Sequence, residues 1–188
     1  FARISSDARR FGAAPATVPL RSDTAMTTIL LTGATGYIGS HTWVALRNAG
    51  YRVVGFDNFA NSSPKVLQRL EGLIGEAPVF EPGDVNDTAR VREVIQKHDA
   101  RAVIHFAAHK AVGESTQKPL EYFRNNLGGL VSVGQAMSDA GVRALVFSSS
   151  ATVYGSRKAA DHRGFAALRH QPLWPDQADG RAAAQRAG

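Results

Sequence analysis

Between Met26 and Gly155 the apolar positions follow two alternating spacings. Short apolar runs at "TTILLT" (27–32), "YRVVGFD" (51–57), "PVFEPGD" (78–84), "RAVIHFAA" (101–108) and "RALVFSSS" (143–150) predict five strands. The intervening segments carry apolar residues at helical spacing. Ile38, Trp43, Val44 and Leu46 mark a helix over 37–50, and further helices are expected at 64–75, 87–98 and roughly 119–140. Gly50 and Gly75 are helix stops, and Asp87 is the expected N-cap of the third helix. Strand and helix in strict alternation predict an α/β fold with a parallel sheet and helices on both faces, because parallel neighbours need crossovers.

This pattern divides the chain of 188 residues into three parts. Residues 1–25 are rich in Ala, Arg and Ser without sustained periodicity, and are expected to be a disordered leader. A targeting peptide has a similar look, but Met26 stands directly before the first strand and reads as the natural start. Residues 26–155 form the one domain. Residues 156–188 lose the apolar spacing and are expected to be a disordered tail.

Charge changes the picture little once it is located. The net charge is +6, but residues 26–155 hold 12 Lys/Arg against 11 Asp/Glu, a net of +1. The basicity lies in the flanks, with no aromatic or glycine-rich pattern beside it, so nucleic-acid binding is not expected. With no cysteine, disulfides and thiolate metal sites are excluded. No metal site is expected, and no apolar run reaches the ~20 residues of a membrane span. A cytoplasmic location fits both features.

The first strand runs straight into "GATGYIG" (33–39), which opens a helix. In a strand–turn–helix, Gly33 allows a tight turn, Gly36 lets backbone approach a pyrophosphate, and Gly39 lets the helix pack closely. The helix start offers N–H groups and a positive dipole end to phosphate. Asp57 closes the second strand, 18 residues past Gly39. A carboxylate there accepts hydrogen bonds from ribose hydroxyls and repels a 2′-phosphate, which favours NAD over NADP. The pattern therefore predicts a Rossmann-type doubly wound sheet, incomplete in this chain. Asp84 is expected near the adenine. His105 lies in an apolar strand and reads as a packed residue, and neither it nor His109 is expected to be catalytic.

With these motifs placed, the chain resembles the extended short-chain dehydrogenase/reductase superfamily and, within it, the UDP-glucose 4-epimerase family. The resemblance covers residues 27–155 through "LLTGATGYIGSHTWVAL", "DNFANSS", "HFAAHKAVGES", "KPLEYFRNN" and "FSSSATVYG". It implies NAD as cofactor and a UDP-sugar substrate. Tyr37 and Ile38 would line the pyrophosphate turn, and Asp57, Asn58, Asn61 and Ser62 would surround the adenosine ribose. Asp84 and Val85 would flank the adenine. Phe106, Ala107 and Lys110 would run beneath the cofactor, Lys110 reaching toward the nicotinamide ribose, and Asn125 would also contact it. Ser150 would hydrogen-bond the sugar 4-hydroxyl. Other readings are a sugar-nucleotide dehydratase or decarboxylase of the same superfamily, or a non-catalytic NAD-binding module.

The same resemblance implies a Tyr-x-x-x-Lys pair on a helix after the fifth strand, the tyrosinate taking the 4-hydroxyl proton. Tyrosine has an ordinary pKa near 10, so a lysine one helical turn on is needed to stabilise the phenolate. Tyr154 is the last tyrosine and Lys158 the last lysine. Their spacing fits, but they stand too close after Ser150, and the match reads as coincidence. Read one base out of frame with suitable synonymous codons, residues 157–182 yield a family-like run containing N-P-Y-G-x-x-K. Its tyrosine codon spans Leu173 and Trp174, and its lysine codon spans Gln177 and Ala178. The tail is therefore read as out of frame, and this chain as an inactive fragment. Epimerases pair through helices near the active site, one of which falls in the altered region, so a homodimer of this chain is doubtful.

Overall fold

The computed structural model describes residues 26–149. The expected elements appear in order: β1 (Thr28–Thr32), α1 (Tyr37–Asn48), β2 (Arg52–Asp57), α2 (Lys65–Ile74), β3 (Val79–Pro82) and α3 (Thr88–Lys97). Then come β4 (Ala102–His105), α4 (Val112–Gln117), α5 (Pro119–Asp139) and β5 (Ala144–Phe147). The five strands form one parallel sheet in the order β3-β2-β1-β4-β5. The connections wind outward from β1 in both directions, so the loops after β1 and β4 diverge there and leave a crevice at the strands' carboxyl ends.

Strand alternation sends successive side chains to opposite faces. Leu30, Val54, Phe56 and Val103 join Val91, Val94 and Ile95 of α3 and Val133, Ala136 and Met137 of α5 in one core. Leu31 and Val53 meet Trp43 of α1 and Leu70 of α2 in the other. Trp43 is fully buried because β2 presents Gly55 beneath it: a Cβ there would overlap the indole ring. Burying each large apolar side chain contributes about 1.5–3 kcal/mol, so two continuous cores stabilise both faces of β1 and β2. On β5, Leu145 packs partly buried against the first of these cores, whereas Val146 on the other face remains 59% exposed.

The helix signals hold. Asp87 accepts a hydrogen bond from the Arg90 N–H at 3.0 Å, and Gly75 ends α2 in the left-handed conformation at φ 75°. Two expectations need correction. The fourth strand ends at His105 rather than continuing to 108, because Phe106–Ala108 leave the ladder to floor the crevice. Residues 112–117 form α4, a short helix that no apolar period announces.

A carboxylate joins α3 to the sheet edge. Glu81 on β3 is 8% exposed and receives Arg90 Nη2, Lys97 Nζ and His98 Nε2, each at 2.7 Å. Hydrogen bonds from Lys97, then His98, outweigh burial and bring its pKa from 4.5 down to about 2. The depressed value makes this contribution complete above about pH 4.5, and it is lost as pH falls toward 2. Glu81→Gln is expected to cost about 3 kcal/mol at neutral pH and to flatten that acid limb of the stability profile. Urea melts across pH 2 to 5 measure both effects.

Candidate functional site

The crevice holds about 570 Å³ of space, part of it open to solvent, and is lined by the glycine turn, the loops after β2, β3 and β4, and Asn125 of α5. Its floor begins at Gly33, which sits at φ 66° with its N–H donating to the Phe56 carbonyl at 3.0 Å. A Cβ on Gly33 would lie 2.6 Å from the Ala107 nitrogen. The glycine thus lets the turn press against the loop after β4, beyond the tight turn that its spacing implied. A Cβ on Gly39 would overlap the Gly33 carbonyl, so this glycine brings α1 onto the turn as expected.

Gly36 is the N-cap of α1 and supplies no side-chain cap. The first N–H groups of a helix lack intrahelical partners, so this end can donate to an anionic ligand. Tyr37 and Ile38 open the helix and are exposed, Tyr37 at 81%.

Asp57 stands opposite the turn. One carboxylate oxygen accepts the Thr35 N–H at 3.0 Å and the other accepts the Phe59 N–H at 2.8 Å. That second bond supports Phe59 in a left-handed conformation, φ 59°. Thr35 Oγ1 and Ser62 Oγ are 2.7 Å apart and tie the glycine turn to the loop after β2. Asn58, Ala60, Asn61 and Ser62 line the same wall.

The far wall carries Gly83 and Val85. Asp84, beside them, accepts Asn58 Nδ2 at 3.2 Å, the Asn86 N–H at 2.8 Å and Asn86 Nδ2 at 2.9 Å. Burial pushes its pKa up, but these hydrogen bonds outweigh it and hold the carboxyl below its ordinary value. Phe106, Ala107, Ala108, His109 and Asn125 complete the lining. Lys110 follows on the same loop, exposed. Ser150, Tyr154 and Lys158 lie outside the described residues.

His105 is buried on β4 with 2% exposure, and its Nδ1 lies 2.7 Å from Thr32 Oγ1. The sequence reading of a packed histidine holds. Burial, aided by the charge of Lys110, lowers its pKa from 6.5 to about 4. Below pH 6.5 the unfolded chain takes up a proton that the folded chain refuses until about pH 4, so stability falls across that window. The expected loss in wild type is about 3 kcal/mol, and His105→Gln removes this slope. Denaturant midpoints between pH 4 and 7 give the comparison.

Sequence reasoning missed Thr35, His109 and Asn126 as parts of the site. Asn126, buried on α5, accepts the His109 N–H on Oδ1 at 2.7 Å and donates to the His109 carbonyl at 3.1 Å. Only the doubled asparagine in "RNN" hinted at it.

A parallel sheet wound both ways from β1, with a glycine turn facing an acid at the end of β2, defines a Rossmann-type domain. The chain belongs to the NAD dependent epimerase/dehydratase family, whose sequence pattern matches residues 29–175. It is 52% identical over 130 residues to a UDP-glucose 4-epimerase of Haemophilus influenzae, covering 69% of this chain and 38% of that protein. It is 50% identical over 129 residues to a UDP-glucose 4-epimerase of Klebsiella pneumoniae, covering 69% of this chain and 93% of that one. The fold superposes on a UDP-glucose 4-epimerase from Stenotrophomonas maltophila, solved with bound NAD and formylated UDP-arabinopyranose. There the TM-score is 0.82 at 40% identity, covering 86% of this chain and 48% of the other. The chain thus spans less than half the length of the Haemophilus and Stenotrophomonas relatives.

Proposed function

We propose that this chain is the dinucleotide-binding part of an NAD-dependent UDP-glucose 4-epimerase, interconverting UDP-glucose and UDP-galactose in the cytoplasm. The observation that carries the reading is Asp57. Its two oxygens are held by backbone N–H groups of Thr35 and Phe59 at the mouth of the glycine turn. A carboxylate oxygen has more than one acceptor position, so both keep capacity for the two hydroxyls of an adenosine ribose. The same charge repels a 2′-phosphate.

The residues present fit the cofactor. A Cβ on Gly36 would meet only the Gly33 carbonyl, at 3.3 Å, and would otherwise project into the crevice, where a pyrophosphate approaches. The uncapped start of α1 offers N–H groups to the phosphate oxygens. Asn58, Asn61 and Ser62 join Asp57 on the ribose side. Asp84 and Val85 flank the adenine, with Asp84 oriented by Asn58 and Asn86. Phe106 and Ala107 floor the middle of the crevice, while Asn125 and Lys110 serve its far end.

NAD supplies the hydride acceptor and donor for the sugar carbon. The protein must supply a base for the hydroxyl proton on that carbon. Ser150 is assigned to orient the hydroxyl, and the tyrosine–lysine pair that would carry the proton is read as lost with the reading frame past Gly155. The partners proposed are a UDP-sugar and no nucleic acid, with homodimerisation doubtful for this chain.

The test has two arms. Purified 188-residue chain is expected to show no turnover of UDP-galactose, and measurable turnover would contradict the missing base. Resequencing the coding DNA from about codon 145 to codon 185 is expected to restore the tyrosine–lysine run by one base. An unchanged frame would overturn the frame-shift reading.

A further inference from the structure

The mouth of the crevice is crossed by a side-chain tie that neither the glycine turn nor Asp57 requires. Asn61 Nδ2 lies 3.3 Å from His109 Nδ1, joining residues 48 apart in sequence. Both line the crevice, Asn61 on the loop after β2 and His109 on the loop after β4. The imidazole does not hang freely. Its ring rests on Tyr122, centroids 5.3 Å apart, and its backbone is gripped on both sides by buried Asn126. Tyr122 is itself fixed by donating to Glu114 Oε2 at 2.8 Å. Asn61 therefore reaches across the opening to a ring anchored on α5.

We propose that His109 is a positioning residue of the cleft, holding the Asn61 loop closed over a bound dinucleotide and so slowing its exchange. This inference rests on the NAD-binding reading above. A tie of one neutral hydrogen bond changes an equilibrium by roughly fivefold. It acts on release, because the loop must swing away from His109 before the adenosine half can leave. The imidazole works through Asn61 and takes no part in hydride transfer.

The experiment compares wild-type chain with His109→Ala, Asn61→Ala, the double variant and His109→Asn, whose amide oxygen stands where the imidazole Nδ1 does and can still accept from Asn61. Stopped-flow fluorescence reads NADH release. His109→Ala is expected to release NADH roughly fivefold faster, Asn61→Ala at least as fast because it also removes Asn61 from the ribose side, the double variant no faster than Asn61→Ala, and His109→Asn close to wild type. Multiplicative effects of the two alanines, or unchanged release from His109→Ala, would overturn the tie. Hydrogen exchange of the ligand-free chain reads the same tie without cofactor. Faster exchange confined to residues 58–62 in His109→Ala supports it, and unchanged exchange overturns it. Absence of NADH binding by wild type would refute the NAD reading itself, and the exchange arm would still decide whether His109 holds the loop.

Discussion

Gly33→Ala is expected to be among the most damaging single-methyl changes in the domain, costing about 3 kcal/mol or more. Two penalties coincide. The residue sits at φ 66°, where an L side chain is strained by about 1–2 kcal/mol. The added Cβ would also meet the Ala107 nitrogen at 2.6 Å, the Phe106 carbonyl carbon at 2.8 Å and the Ala107 Cα at 2.9 Å. All three are backbone atoms, so no rotamer change relieves the overlap, and the loop after β4 must move away from the turn. That movement opens the floor of the crevice, so NAD binding falls with stability. Gly72→Ala is the control. Gly72 lies within α2 with nothing within 4 Å of the new Cβ, and the change should stabilise by about 0.5–1 kcal/mol. Thermal melts of both variants test the contrast, and equal effects would contradict it.

Asp57→Asn is expected to weaken NAD binding by about a hundredfold and to narrow discrimination against NADP by at least about tenfold. Hydrogen bonds to a charged group are worth about 1.5–3 kcal/mol each, and the carboxylate is placed to accept two from the ribose. The amide keeps one oxygen and turns its other atom into a donor, which faces the N–H of either Thr35 or Phe59. Removing the charge also removes its repulsion of a 2′-phosphate, which reaches about 4 kcal/mol for unit charges 4 Å apart near a protein surface. Calorimetric titration of the wild-type chain and Asp57→Asn with NAD and NADP measures the two effects. Unchanged NAD affinity would remove Asp57 from the ribose site.

The fold was legible because burial and periodicity agree along β1, β2, α3 and α1 from Trp43 on, where the apolar residues that the spacing picked out have a face to pack against; Ile38, picked out with them, is 56% exposed. Agreement failed where another demand governs the residue type. Phe106–Ala108 extend an apolar run beyond the ladder because they floor a crevice, and the run alone does not distinguish floor from strand. α4 has no apolar stripe, and the bond that ties it to α5, from Tyr122 to Glu114, is polar and leaves no mark on the apolar spacing. The site divides the same way. Gly33, Gly39 and Asp57 were readable because their roles are backbone conformation, close approach and position at a strand end. Thr35, His109 and Asn126 act through side chains that meet partners 17 to 27 or 48 residues away, and their types carry no signal of that geometry.

The most direct measurement is a calorimetric titration of the 188-residue chain with NAD and, separately, NADP. One NAD per chain is expected, with NADP bound at least about tenfold more weakly because of the carboxylate of Asp57. No binding of NAD, or equal binding of the two, would contradict the assignment of this crevice.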